Sequence, residues 1–499
     1  MEPVPDPRVL LVVDRTTDWL LNLEGVEVVT ARDYLTQSTY QSSGSVRRLF
    51  NLCRSYRYQS LGYYVSLLAA ARGHKPQPDI GVLQDFRSRS TFRLVSEELD
   101  QIIQRSLAPL QGKEFLLSVY FGRNLAKRYD RLSAHLFRLL PAPFLQAQFI
   151  YNDRSGKWLL QTAGPIPTGE VPDSHREFAL DAAREFFRSA RLRRQRRFAG
   201  RYDLAILVDP DDTEPPSNPR ALQRFIRAAK DVGFNCEFLR RSDIGRLAEF
   251  DALFIRATTH VNHFTFRFSR RAVAEGLVVI DDPESILRCT NKVYLAERME
   301  RHGIPTPRTC IIHRGNRDQV LGQLGLPCIL KQPDSAFSQG VNKVESTEEL
   351  SRQLDELLRN SDLIIGQEFL PTPFDWRIGV LDRKPIYACR YYMARGHWQI
   401  LRRDDGGSKC EEGDSDTVPL DNVPRNVLRT AVKAAGLIGD SLYGVDLKQV
   451  GNRVLVIEVN DNPNIDAGIE DLLQPRELYR TIVSSLMRRV EERRQGRSR

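Results

Sequence analysis

Residues 443–468 read YGVDLKQVGNRVLVIEVNDNPNIDAG, two apolar strand-like runs around the turn pair Gly451-Asn452. Side chains alternate faces along a strand, so Asp446 and Lys448 share one face while Val445 and Leu447 share the other. On the second run Glu458 and Asn460 share a face opposite Leu455, Ile457 and Val459. A two-residue turn would set Asp446 against Ile457 and mix the faces. A three-residue loop over 451–453 sets Asp446 against Glu458 and keeps apolar with apolar. Register follows the buried face, which favours the longer loop. Directly opposed residues have Cβ atoms roughly 5 Å apart, so two like charges meet there, which destabilises a sheet unless something positive intervenes. Mg²⁺ takes oxygen ligands of this kind and is completed by substrate phosphates. Asp446, Glu458 and Asn460 are therefore the expected metal ligands, with the Asn- and Pro-rich turn lining the site. Taken alone, that turn also suits an ordinary loop.

Two stretches upstream supply complementary chemistry. Lys331 ends the apolar run PCILK, and the loop SAFSQG follows at 335–340. Backbone N–H groups of such a loop, those of Ser338, Gln339 and Gly340 among them, can close over phosphates while a lysine supplies a point charge. The G-K-[ST] ending of a Walker A sequence is absent, and on its own Lys331 reads more readily as a surface lysine. In IIGQEFLPTPFDWRIGVL, a strand ending in Gln367, Glu368, Phe369 and Leu370 can offer backbone groups to an adenine edge and apolar surface to its faces. Asp375 and Arg377 alternate with Trp376, so both can point into one cleft.

The whole chain sets the frame. Its 499 residues, 41% hydrophobic and 27% charged, are ordinary globular composition and long enough for two to four domains. Seven scattered cysteines without a C-x-x-C pair fit a reducing cytosol and exclude a disulfide framework or a zinc site. The opening MEPVPDPRVLLVVDRTTDW lacks the pattern of a signal peptide, and no apolar run approaches the ~18 residues of a membrane span. A cytoplasmic location without membrane contact is expected. The formal net charge of +9 is concentrated in residues 183–201 and in the tail MRRVEERRQGRSR. Neither interleaves aromatic with basic residues as a single-strand binding groove does, so nucleic acid is not an expected partner. Attraction of an anionic substrate explains the charge at least as well.

Coarse structure follows from periodicity. Residues 9–13 (VLLVV) and GVEVVT read as strands, and a helix is expected over about 62 to 72, where Tyr64, Leu67, Leu68 and Ala71 recur at helical spacing and Gly73 supplies the stop. FLLSVYFG and FLQAQFIYN are further strands. YDLAILVDP, NCEFLRR, FDALFIRAT and LVVIDDP alternate with helices, the pattern of a parallel sheet. Expected boundaries are 1–165, a charged helical connector at 166–200, an α/β domain at 201–288, a catalytic domain at 289–485 and a basic tail at 486–499.

The order of NKVYLAERM…GIPTP, PCILKQPDSAFSQGV, QEFL…DWR and YGVDLKQVGNRVLVIEVNDNPNIDAG resembles that of RimK-like ATP-grasp ligases, over about residues 202–475. Residues 1 to about 160, above all NLCRSYRYQSLGYYVSLLAAARG, are similar to the N-terminal domain associated with one branch of that family. The resemblance implies an α/β fold: an α+β ATP-grasp module preceded by a parallel-sheet pre-ATP-grasp domain and an additional N-terminal α/β domain. It makes Lys292 and Lys331 ATP-phosphate or purine-side contacts, Gln367, Glu368, Phe369 and Leu370 the adenine hinge, and Glu368 or Asp375 the ribose neighbour. Arg377 and Arg390 would face the γ-phosphate and a substrate carboxylate, and Asp446, Glu458 and Asn460 would hold Mg²⁺, two ions with Mn²⁺ as a substitute. Where many of these ligases carry an Arg and an Asn, this chain reads GHWQIL, with Trp398 and Gln399, and Asn464 replaces a common glycine. The implied activity is ATP- and Mg²⁺-dependent joining of a carboxylate to an amine through an acyl phosphate. The implied partners are ATP, a carboxylate and an amino acid or peptide amine, on a protein tail, a peptide or a small metabolite; homo-oligomerisation is left open. The alternative reading is a catalytically reduced nucleotide-sensing adaptor that binds a partner through its N-terminal domain.

Overall fold

The computed structural model describes residues 8–19, 26–40, 46–195, 200–334, 340–395, 397–403 and 410–494. They fall into two compact units, Met1–Phe198 with Ser242–Ala248, and Ala199–Arg241 with Glu249–Arg499. The expected 201–288 domain is thus interrupted: Ser242–Ala248 belongs to the first unit.

The first unit holds a parallel sheet of β1 (Arg8–Val13), β2 (Val26–Thr30), β3 (Val46–Asn51) and β4 (Lys75–Gln77), in the order β2-β1-β3-β4. Leu10, Leu11, Val12 and Val13 are all sealed from water, as a strand covered on both faces requires. An antiparallel sheet follows, β5 (Glu114–Tyr120), β6 (Phe144–Asn152) and β7 (Lys157–Pro165). The helix Asp173–Gln195 is more than a connector: Ala179, Ala182, Ala183 and Phe187 recur every three or four residues and pack with Phe50 and Phe121. The Phe187 ring meets Phe50 edge-on at 5.0 Å.

The helix expected over 62–72 forms at Leu61–Ala71 and Gly73 ends it with φ +72°, but its buried face is not the apolar one. Gly62, Val65, Ser66 and Ala69 face inward, while Tyr64 and Leu67 are exposed. The reason is close approach to the end of β3. Asn51 donates to the Gly62 carbonyl at 2.7 Å and to Ser66 Oγ at 2.9 Å. A Cβ on Gly62 would lie 2.4 Å from the Ser55 carbonyl oxygen, so only glycine fits there.

The second unit begins with a parallel sheet of β8 (Tyr202–Leu207), β9 (Phe234–Leu239), β10 (Ala252–Ile255) and β11 (Val278–Ile280), ordered β11-β10-β8-β9. The antiparallel sheet β12-β15-β13-β14 uses β12 (Thr309–Ile312), β13 (Cys328–Lys331), β14 (Val341–Val344) and β15 (Ile364–Glu368). A five-stranded sheet is built from β16 (Phe374–Leu381), β17 (Lys384–Tyr392), β20 (Ser415–Thr417), β21 (Leu442–Val450) and β22 (Arg453–Asp461), ordered β20-β17-β16-β21-β22. The ribbon of β18 (Leu401–Arg403) and β19 (Cys410–Glu412) lies between β17 and β20 in sequence. The boundary expected at 485/486 cuts the helix Glu477–Arg494, which buries Leu478, Ile482, Leu486 and Val490 on one face. Its arginines are held rather than frayed: Arg489 reaches Asp382 at 2.8 Å and Arg494 reaches Asp251 at 2.7 Å.

The hairpin of β21 and β22 reaches the expected pairing by a different route. Val450 pairs with Arg453, so the turn is the two-residue Gly451-Asn452, with Gly451 at φ +58°. A register shift between Asp446 and Leu447 then leaves Ile457 extra on β22 and restores Asp446 opposite Glu458. This bulge lets Val456 and Val459 both face the core, the conflict that a longer loop had been expected to solve.

Candidate active site

Three adjacent strands place one row of charges. Arg377 on β16 opposes Asp446 on β21, which opposes Glu458 on β22. The Arg377 guanidinium donates to both oxygens of Asp446, at 2.8 Å from its terminal nitrogen, and the Asn460 amide donates to Asp446 at 3.0 Å. Lys292, the first residue of the helix Lys292–Arg301, puts Nζ 2.9 Å from Glu458. Burial pushes the Asp446 carboxyl up, against the pull of Arg377. Burial also acts on Glu458, but Lys292 and Lys331 outweigh it and hold that carboxyl below its ordinary range. The like charges expected to crowd here thus each carry a cation. Gly444 keeps the row tight: a Cβ there would lie 2.8 Å from Pro463 Cβ and 3.1 Å from Arg377 Cδ.

Lys331, the last residue of β13, is buried, and burial draws its amine down to about 8. Gln367 donates to Thr309 Oγ at 3.1 Å. Glu368 accepts from the Arg308 backbone N–H at 2.9 Å and its Nε at 2.8 Å, which brings the carboxyl below its ordinary value despite burial. Asp375 accepts from Thr372 at 2.9 Å and from Lys448 at 2.6 Å. Both carboxylates expected near a ribose therefore already hold partners.

Lys292, Lys331, Gln367, Glu368, Phe369, Leu370, Asp375, Arg377, Asp446, Glu458 and Asn460 line a single cleft of about 330 Å³. Gly340, at φ +66°, accepts from the Gln332 N–H at 3.1 Å through its carbonyl, and its neighbour Val341 lines the cleft. Ser338 and Gln339 lie outside the described residues.

Arg390 is the exception. Its ladder partners are Trp376 and Asp416, which puts it on the sheet face away from Arg377. Its guanidinium lies over Phe374 and Trp376 at 5.2 and 5.0 Å, and it does not line the cleft. The register shift between Gly379 and Val380 explains the miss: it sets Tyr391 rather than Arg390 opposite Asp375, and Tyr391 does line the cleft. Lys448 was also missed as a functional group, although its spacing from Asp446 gives it the same face. Thr258, Thr259 and His260 after β10 carried no sequence signal, whereas Asp461, the last residue of β22, opens the turn expected to line the site.

The wall formed by residues 461–464 is anchored by Arg256, whose guanidinium is fully buried. It donates to Ser217 Oγ, to Asn462 Oδ1 at 2.8 Å and to the Pro463 carbonyl at 3.0 Å. Burial lowers Arg256 to about 10, and Asp281 is its strongest opposing charge. Burial also pushes the Asp461 carboxyl up to about 7.

The donor set suits a hard divalent ion. Two carboxylates and an amide oxygen are oxygen ligands, and their present partners are cationic or hydrogen-bond donors, the groups a metal would replace. Among the described residues no cluster of three or more His, Cys, Asp or Glu offers a competing metal site. No described helix is long and apolar enough to cross a membrane.

Residues 31–182 match the RimK-like ATPgrasp N-terminal domain family, and residues 289–473 match the RimK-like ATP-grasp domain family. A protein named probable alpha-L-glutamate ligase from Vibrio vulnificus is 26% identical over 228 residues, 45% of this chain and 72% of its own length. One of the same name from Marinomonas sp. is 26% identical over 234 residues, covering 46% and 74%. Alpha-aminoadipate–LysW ligase LysX from Saccharolobus solfataricus is 28% identical over 196 residues, covering 38% and 67%.

Proposed function

The chain belongs to the RimK-like ATP-grasp family of carbon–nitrogen ligases, and from that premise we propose that it joins a carboxylate to an amine through an acyl phosphate, adding an amino acid to a peptide, a protein tail or a small metabolite. The observation that carries this reading is the row Arg377, Asp446, Glu458 beside the buried amines of Lys292 and Lys331. A carboxylate oxygen attacks the γ-phosphorus, the bond to the β-phosphate oxygen breaks, and ADP leaves. The amine then attacks the acyl carbon, loses a proton and expels phosphate. Asp446, Glu458 and Asn460 would hold Mg²⁺, two ions in our reading, which when bound supplies charge neutralisation across the triphosphate.

The chain's own groups do the rest. Lys331 and Lys292 draw the phosphates in, and the backbone at residues 367–370 offers hydrogen bonds to the base edge. Arg377 is placed to meet the transferring phosphate and the attacking carboxylate, whose mutual repulsion is the main obstacle to reaction. The relatives' names include a glutamate ligase and an aminoadipate ligase, which favours an amino acid as one substrate. The test is release of ADP and phosphate that requires both an added carboxylate and an added amine. A panel of amino acids and dipeptides with mass spectrometry of the products would identify the pair. Nucleotide binding without any stimulated turnover would refute the proposal.

A further inference from the structure

Backbone bonds among Ala394, His397 and Gln399, after β17, fix an aromatic side chain in the cleft. The Ala394 N–H donates to the Gln399 carbonyl at 2.9 Å, and the His397 N–H donates to the Ala394 carbonyl at 2.8 Å. His397 Nδ1 accepts from the Gln399 N–H at 3.1 Å. These bonds set the His397 ring beside the Trp398 indole, 5.8 Å away and tilted only 30°. Trp398 also meets the Phe369 ring edge-on at 6.0 Å. Phe369 in turn carries the Lys343 amine 4.6 Å from its ring centre. Trp398, Phe369 and Ile329 line the same cleft, and Ile329 is the ladder partner of Gln367.

We propose that Trp398 is a nucleobase-binding residue, supplying a π-face to the purine of ATP. This rests on the reading of residues 367–370 as the base-binding edge. Phe369 belongs to that edge, so the indole that packs on it borders the base rather than the transferring phosphate. The position is one where the family resemblance leads to an Arg and an Asn, so this chain adds apolar aromatic surface where charge was expected. Held by its contacts with His397 and Phe369, the indole is already ordered and loses little freedom when a base docks. Stacking on an aromatic ring tolerates any base, because every base has a π-face. The contact therefore raises affinity for nucleosides over bare polyphosphate more than it separates ATP from GTP.

The experiment measures binding of Mg·ADP and of Mg·tripolyphosphate, which has the phosphates but no base, to the full chain by calorimetry. Wild type is compared with Trp398→Phe, which keeps an aromatic face, and Trp398→Leu, which keeps apolar bulk without one. Trp398→Leu should weaken Mg·ADP about ten-fold, Trp398→Phe much less, and neither should alter tripolyphosphate binding. Fluorescence gives a second readout. Of the four tryptophans, Trp398 alone lines the cleft, so Mg·ADP should change a signal that Trp398→Phe abolishes. Unchanged Mg·ADP affinity in Trp398→Leu overturns the assignment and leaves the ligase reading standing. Equal weakening of ADP and tripolyphosphate also overturns it, because the residue would then be shaping the cleft. Wild-type protein that binds neither would overturn both readings.

Discussion

The Lys292 amine sits 2.9 Å from the Glu458 carboxylate, with the two side chains only 9% and 25% exposed. The Lys292 charge is therefore the strongest compensation that Glu458 has for leaving water. Glu458→Gln keeps the shape but removes this ion pair, at a cost of about 3 kcal/mol, the lower end for breaking a buried pair. The variant should stay folded with a lowered Tm. ATP turnover should be lost, because one of the two carboxylates proposed to hold Mg²⁺ is gone. Thermal denaturation and ADP release across a Mg²⁺ titration check both halves; full turnover would remove Glu458 from the metal site.

As the proposed phosphate contact, Lys331 should make the use of ATP pH-dependent. Burial lowers its amine to about 8, so it is charged below that pH and neutral above it. Attraction for the triphosphate is present below pH 8 and fades as pH rises through it. The value of kcat/KM for ATP should fall on that limb, and Lys331→Arg, which stays charged, should shift the fall to higher pH. The stability sign is opposite. Between pH 8 and the ordinary lysine value of about 10.4 the unfolded chain binds more protons, so this group makes folding more favourable as pH rises. A flat kcat/KM profile from pH 7 to 9.5 would contradict the phosphate role.

What the sequence disclosed depended on whether alternation or packing decided each element. Asp446, Glu458 and Asn460 were legible because strand periodicity fixes a shared face whatever the neighbours are. The bulge at Ile457 was not, because a two-residue turn followed by a bulge gives the same final pairing as a three-residue loop. The helix Leu61–Ala71 was located correctly and turned the wrong way. Its apolar spacing was real, yet the crowded approach to Asn51 selects the small residues Gly62, Ser66 and Ala69 instead. Arg390 was placed by family resemblance, and the register shift between Gly379 and Val380, which periodicity does not disclose, sets Tyr391 in its place opposite Asp375.

Arg390 and Arg377 separate experimentally. The Arg390 guanidinium over Phe374 and Trp376 stabilises the sheet by cation–π contact, worth about 1–2 kcal/mol where partly desolvated. Arg390→Ala should lower Tm while leaving the KM for ATP near wild type. Arg377→Ala should abolish turnover, and Arg377→Lys should fail to restore it, because one ammonium cannot hold both oxygens of Asp446. Steady-state kinetics beside thermal denaturation reads the contrast. A large rise in KM for Arg390→Ala with unchanged Tm would put that residue back in the cleft.

Arg256 tests whether the wall behind the metal ligands is held from the parallel sheet. Its guanidinium is fully buried and reaches Ser217, Asn462 and the Pro463 carbonyl in different directions. A fork of donors fits that set, whereas a lysine offers one point and cannot span it. Arg256→Ala leaves Ser217, Asn462 and the Pro463 carbonyl buried without their donor, so a loss of about 3–5 kcal/mol is expected, with Arg256→Lys recovering little. Because residues 462 and 463 directly follow Asn460 and Asp461, loosening them should also weaken Mg²⁺. The Mg²⁺ concentration for half-maximal turnover should rise in Arg256→Lys at a temperature where that variant is still folded. A lowered Tm with an unshifted Mg²⁺ curve would confine Arg256 to stability and disconnect it from the site.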